Sequence, residues 1–176
     1  MKYAPIFHRI VAYLIDCVLA FVVFVTALQF VIFIPIRNTL FNSDVWFRSG
    51  WNTEIYTLLT ISLPIWLYFI LCELSPWQAT VGKRILKLQT LDFATNHRIS
   101  LIQAIVRTVI KLLPWELAHF TNNIPMPMWY DPNPSFRVGF AIVPLLIILY
   151  ICVAQFAPTK QGLHDLAAKT VVIFNA

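Results

Sequence analysis

The chain has 176 residues, of which 59% are hydrophobic, 15% aromatic and only 12% charged, with a mean hydropathy of +0.73. Soluble domains carry roughly 25% charged residues, so about half the usual surface charge is missing and water does not solvate most of this surface. Four glycines without a Gly-rich stretch exclude collagenous and linker-like classes, and the net charge of +5 is scattered among apolar runs, building no basic stripe for nucleic acid.

The first apolar run, residues 10–36, holds a single formal charge, Asp16. As a helix it would reach about 40 Å against a hydrocarbon core of about 30 Å, which predicts tilt or an N-terminal part at headgroup level. Pro35 is expected at its far end, and the run is too long for the apolar region of a cleaved signal peptide. A second span is expected over residues 55–74, bounded by Glu54 and Glu73, with Trp51, Tyr56 and Trp77 as interfacial aromatics. Pro64 lies inside it and requires a kink or a neighbouring helix that takes up the freed carbonyl. Residues 85–91 read as a short strand.

Residues 99–118 carry Ser100, Gln103, Arg107 and Lys111 at spacings of three and four, a polar stripe on an otherwise apolar helix. Such a helix lies flat in the interface, or it crosses with the stripe turned to other helices. A last span is expected over residues 138–156, with Pro144 inside, followed by a second β-branched run at 170–174. Pairing of the two strands needs an even number of crossings between them, which favours a third helix that crosses or re-enters. The expected fold is therefore an all-α integral membrane protein, one domain over residues 1–176. It has three transmembrane helices, a fourth amphipathic, re-entrant or crossing helix at 99–118, and a short cytoplasmic β-hairpin-like pair. The N-terminus is placed in the cytoplasm, with the chain in the cell's inner membrane.

Arg9, Tyr13 and Asp16 fall at i, i+4 and i+7 and share one helix face. An aspartate within an apolar helix costs about 2.5–3.5 kcal/mol to insert, so Asp16 is expected in a structural salt bridge or as a proton or cation site. Arg107 and Lys111 are its expected partners if the third helix crosses. Asp165 is expected to cap a turn or to pair with Lys83, Arg84 or Arg9. Lys83, Arg84 and Lys87 form a juxtamembrane basic cluster suited to anionic headgroups. Cys17, Cys72 and Cys152 read as packing residues, the histidines lack metal-ligand spacing, and neither a cofactor nor a metal is expected. Gly82-Lys83-Arg84 lacks the full P-loop spacing, and no nucleophile or carboxylate pair stands at a recognisable spacing, so catalysis is not expected. Few helices in one protomer leave little wall for an enclosed path, which implies a homo-oligomer or a larger complex.

Three stretches in order, 7–16 around Arg9 and Asp16, 77–88 around Gly82 and Lys83, and 161–172 around Asp165, resemble the RDD family of prokaryotic membrane proteins. The resemblance spans almost the whole chain. It implies that Arg9 is the family arginine, Asp16 the aspartate within the first helix and Asp165 the second aspartate. For function it implies transport of unidentified ligands, with sodium–proton antiport proposed for some members. Two departures stand out: Lys169 replaces the usual glycine of the last motif, and the Pro-rich stretch 114–135 is longer than in compact relatives.

Overall fold

The computed structural model describes residues 2–40 and 43–175, without the side chains of 43 and 44. In chain order the elements are α1 (Ile6–Leu40), α2 (Ser43–Trp46), α3 (Gly50–Leu74), α4 (Val81–Ile85), β1 (Leu88–Asp92), α5 (Leu101–Asn123), α6 (Gly139–Phe156), α7 (Leu163–Ala168) and β2 (Thr170–Phe174). Helices α1, α3 and α6 are long and apolar enough to cross a membrane. Helix α5 has 23 residues, but Arg107, Lys111 and Glu116 lower its apolarity.

Helix α1 exceeds the expected 10–36 at both ends, and Pro35 lies within it rather than at its end. The reason lies in the winding of residues Phe21–Phe33, where Ile34 N–H donates to the Gln29 carbonyl five residues back. A proline ring clashes with the carbonyl four residues earlier in a regular helix, and wider turns relieve that crowding. The same winding recurs at Leu58–Ser62, immediately ahead of Pro64 in α3.

Each internal proline also leaves one carbonyl without its N–H partner, a cost of several kcal/mol where no water reaches. For Pro64 the freed group is the Thr60 carbonyl, and Gln29 Nε2 on α1 donates to it at 3.2 Å. Gln29 is in turn held by Thr60 Oγ1 at 2.8 Å and by the Tyr56 hydroxyl at 2.8 Å. For Pro114 in α5 the freed group is the Ile110 carbonyl, which accepts from the Tyr150 hydroxyl of α6 at 2.6 Å. The neighbouring helix required at Pro64 is therefore α1, and the same solution appears at Pro114.

The chain divides into two compact units, residues 1–19, 66–112 and 147–176 in one and 20–65 and 113–146 in the other. In the first unit β1 and β2 pair antiparallel, Leu88 opposite Phe174 and Asp92 opposite Thr170. They are separated in sequence by α5 and α6, so no tight turn joins them. The N-terminal segment adds to the far edge of β2, with Tyr3 bridged to Ile173 and Ala4 N–H donating to the Val172 carbonyl at 3.0 Å. Ala4, Ala12, Leu88 and Val172 form the core beneath. Helix α4 reaches the backbone of α1 through Gly82, where an added Cβ would lie 2.0 Å from the Ala12 carbonyl oxygen. Lys169 ends α7 in the left-handed region at φ 52° and ψ 47°. The tight final turn is thus kept with a side chain in place, at a cost of about 1 kcal/mol.

In the second unit, Asn123 Nδ2 donates to Glu54 Oε2 at 2.8 Å. Arg137 closes the end of α5, whose last carbonyls have no partner within the helix. Its Nη1 donates to the carbonyls of Thr121, Asn122 and Ile124, and its Nη2 to that of Met126.

The Tyr150 bond has a specific test. Tyr150→Phe is expected to lower unfolding stability in detergent by about 1–3 kcal/mol. In a Pro114→Ala background, where the backbone N–H is restored, the same change is expected to cost almost nothing. Equal costs in both backgrounds would refute the assignment.

Candidate functional site: a buried charge network in the first unit

Arg107 of α5 is 1% exposed and stands between two acids. Its Nε lies 3.1 and 2.9 Å from the two Glu73 oxygens, at the end of α3. Its Nη1 donates to Asp165 Oδ1 on α7 and, at 2.7 Å, to Thr170 Oγ1 on β2. The other Asp165 oxygen accepts from Arg9 Nη2 of α1 and from the Gly162 N–H at 2.9 Å. Arg9 Nη1 donates to the Lys160 carbonyl, which fixes the segment entering α7. Glu73 Oε1 also receives Lys83 Nζ of α4 at 2.5 Å, and that ammonium donates to Thr90 Oγ1 on β1 at 2.7 Å.

Burial alone would raise the Asp165 carboxyl, but the Arg107 and Arg9 guanidiniums outweigh it and hold the group well below the usual aspartate range. Burial holds the His164 imidazole well below its usual range against the opposing pull of Asp165. His164 stacks on Tyr150, with ring centroids 6.3 Å apart. Desolvation lowers the Lys83 ammonium, with Glu73 pulling the other way. Removing one partner from a buried ion pair costs about 3–5 kcal/mol because the other charge is stranded.

Asp16 is 1% exposed and has different company. Its Oδ1 accepts from the Tyr68 hydroxyl at 2.7 Å and the Gly82 N–H at 2.8 Å, and its Oδ2 accepts from Thr80 Oγ1 at 2.6 Å. Among the described residues no lysine or arginine lies at ion-pair distance from it. The expected pairing of Asp16 with Arg107 and Lys111 is therefore replaced. Arg107 is engaged by Glu73 and Asp165, and Lys111 Nζ sits over Phe69 and Tyr13, 3.8 and 5.3 Å from the ring centroids.

Other expected partners redistribute as well. Of the candidates for Asp165, the structure brings Arg9 to it and adds the helix cap from Gly162, whereas Lys83 goes to Glu73. Lys83 is buried by that pair and is not presented to headgroups. Arg84 lies over the Trp77 ring, 3.9 Å from its centroid, and Arg84 and Lys87 are exposed. Sequence reasoning missed Glu73 as a site residue, having treated it as the boundary charge of a span. Its signal was an acid closing an apolar helix in a chain whose Arg107 and Lys111 needed one. Tyr68, Thr80, Thr90 and Thr170 gave no such signal, because each acts through a contact made in the folded chain.

The acid limb of stability follows from His164 and Asp165. An unfolded chain takes a proton on His164 as the pH falls below the ordinary value of 6.5 while the folded one refuses it, so stability is expected to decline there. A second decline is expected below 3.8, where unfolded Asp165 is protonated first. Unfolding temperatures of detergent-solubilised protein between pH 5 and 8 check the first slope, and His164→Gln is expected to flatten it.

The RDD family profile matches residues 3–169, a stretch that passes through both units and includes Arg9, Asp16 and Asp165. Comparison with curated proteins and with solved structures found no match. Arg9 and Asp165, the first and last of the three motif residues, meet directly in the network, and Asp16 is held by Thr80 and Gly82 of the central motif. With its three membrane-length apolar helices, the chain belongs to the RDD family.

Proposed function

We propose that this chain is a multi-pass inner-membrane protein that moves a small ion or solute across the bilayer, with Asp16 as the group that exchanges a proton or cation. One observation carries the reading: Asp165 and Glu73 are each held by two cationic side chains, whereas Asp16 is held by neutral donors. Protonating Asp165 would strand Arg9 and take from Arg107 one of its two acids in a buried setting. A proton or cation at Asp16 strands no arginine or lysine. Intramembrane acids of this kind mark ion and proton pathways.

The topology supporting this reading has α5 crossing beside α3. Strands β1 and β2 are paired and so share a side, and α5 and α6 stand between them. If α6 crosses, α5 must return. Two pairings accompany that return, Arg107 with Glu73 in the first unit and Asn123 with Glu54 in the second. The bridge between Tyr3 and Ile173 of β2 supports a reading in which the two terminal segments share one side, and the basic residues around them favour the cytoplasm. In a cysteine-free background, Asn133→Cys is expected to react with an impermeant thiol reagent on intact cells and Asn175→Cys only after lysis. The reverse pattern would remove α5 from the bilayer.

A second reading is a membrane assembly module in which the charges are locks. The observation favouring it is that Arg9, Lys83, Glu73, Arg107 and Asp165 are all engaged in one network. The share of α6 buried is only 6%, leaving it to lipid or to a second copy in a homo-oligomer, and Arg84 and Lys87 remain for headgroups. Proteoliposome flux separates the readings. Transport predicts that Asp16→Asn abolishes ion-linked flux while the protein still folds, and the module predicts reduced abundance with no change in flux.

A further inference from the structure

The buried network leaves the outside of the first unit almost without acids. That unit has ten lysines and arginines against four acids, Asp16, Glu73, Asp92 and Asp165. Three of the four are buried, and Asp92 is held by Ala94, Thr95 and Gln103. Lys2, Arg84 and Lys87 are exposed, and among the described residues none of them meets a carboxylate. The surface they form is positive without internal compensation, which fits an anion.

The three cations stand together. The Lys2 carbonyl accepts from the Phe174 N–H at 3.2 Å and the Lys87 carbonyl from the Asn175 N–H at 2.7 Å, so the two lysines flank the end of β2. Arg84 lies one turn before Lys87, whose N–H donates to its carbonyl at 3.1 Å. The Arg84 guanidinium rests 3.9 Å over the Trp77 ring, which sets its plane and leaves its N–H edge for an anion. Trp77 is itself exposed, as are Val81 and Ile85, one turn apart on α4. A soluble anion would account for the cations but not for these three apolar side chains. A lipid accounts for both, with the apolar groups at the acyl boundary and the cations at the headgroup. The place in the chain agrees, since α4 follows α3, a membrane-length helix whose Leu67 and Leu71 are exposed.

The inner side of the same short helix closes on Asp16. Gly82 N–H and the preceding Thr80 hydroxyl donate to the carboxylate, and Val81 N–H donates at 3.0 Å to the Tyr68 hydroxyl, which also donates to Asp16. We infer that α4 couples the charge of the membrane surface to Asp16: Arg84, Lys87 and Lys2 seat the anionic headgroup of a phospholipid, and the seated lipid holds the Thr80–Gly82 backbone on the carboxylate. Lys83 takes no part in the seat, being turned inward to Glu73. With the exchange role proposed above, the lipid becomes a regulator of Asp16; the seat itself requires no exchange, and its test uses no flux.

The full chain in detergent is titrated with mixed micelles containing phosphatidylglycerol or phosphatidylcholine. Bound lipid is counted by native mass spectrometry, and amide hydrogen exchange is followed over residues 78–87 with and without lipid. Phosphatidylglycerol is expected to bind the unaltered chain about thirtyfold more tightly than a variant with Arg84→Gln and Lys87→Asn, about fivefold for each charge, and phosphatidylcholine to bind both weakly and alike. Arg84→Lys and Lys169→Gln, the latter at an exposed lysine beyond the other end of β2, are expected to keep most of the affinity. At about ten times its dissociation constant, phosphatidylglycerol is expected to slow exchange at Gly82 about tenfold in the unaltered chain and to have no effect in the double variant. Equal affinity for the two lipids, or an equal loss in Lys169→Gln, would overturn the seat. Protection by glycerol phosphate at the same concentrations would assign the cations to a soluble anion and overturn the lipid. Tight phosphatidylglycerol binding with unchanged exchange at Gly82 would overturn the coupling, while leaving the proposed exchange role of Asp16 untouched.

Discussion

The Arg107 guanidinium is the interaction on which the first unit depends. Its planar fork is the side-chain geometry that can meet two carboxylates from different directions while keeping a donor for a hydroxyl. Through Glu73 it holds the end of α3, through Asp165 it holds α7, and through Thr170 it touches the start of β2. Arg9 and Lys83 then extend the same lattice to α1 and α4. A lysine in its place would offer a point charge and could not serve both acids in this way.

Three buried acids in one unit have been given two chemistries by their neighbours. Glu73 and Asp165 are fixed by cations, which makes them structural in the sense that altering their charge disturbs several elements at once. Asp16 is fixed by a phenol, a hydroxyl and one backbone N–H. The difference arises from where the chain returns after α3: the short α4 packs so closely on α1, through Gly82, that its backbone and the preceding Thr80 reach the carboxylate before any long cationic side chain does. Close approach of backbone and acid is therefore what separates Asp16 from the lattice beside it.

Much of this was legible in the sequence, for identifiable reasons. Long apolar runs announce spans, so α1, α3 and α6 were readable, and runs at 85–91 and 170–174 announced a strand pair that the fold contains, the first strand beginning only at Leu88 because residues 81–85 wind into α4. Asp16 was readable because charge in apolar surroundings is costly, and Arg9 and Asp165 joined it through the family resemblance. Apart from Arg9 as one candidate for Asp165, their partners were not, since helix spacing says which residues share a face but not which element faces them. Glu73 looked like a boundary, Lys83 looked like a headgroup contact, and Pro35 looked like a stop. Each reading failed for the same reason: the deciding atom, whether Arg107 Nε, Glu73 Oε1 or the wide backbone turn before Pro35, belongs to a remote segment or to a winding that residue type does not specify.

The tyrosine that completes α5 is made late. Gln29 precedes Thr60 in the chain, so the donor for the open carbonyl of α3 already exists when that helix emerges from the ribosome. For α5 the order is reversed: Tyr150 lies 40 residues after Ile110. On the topology proposed here, α5 arrives at the bilayer with a charged stripe and one unsatisfied carbonyl, and neither water nor lipid settles that carbonyl in hydrocarbon. On that topology α5 is expected to stay out of the lipid until α6 is available, so that the two enter as a pair.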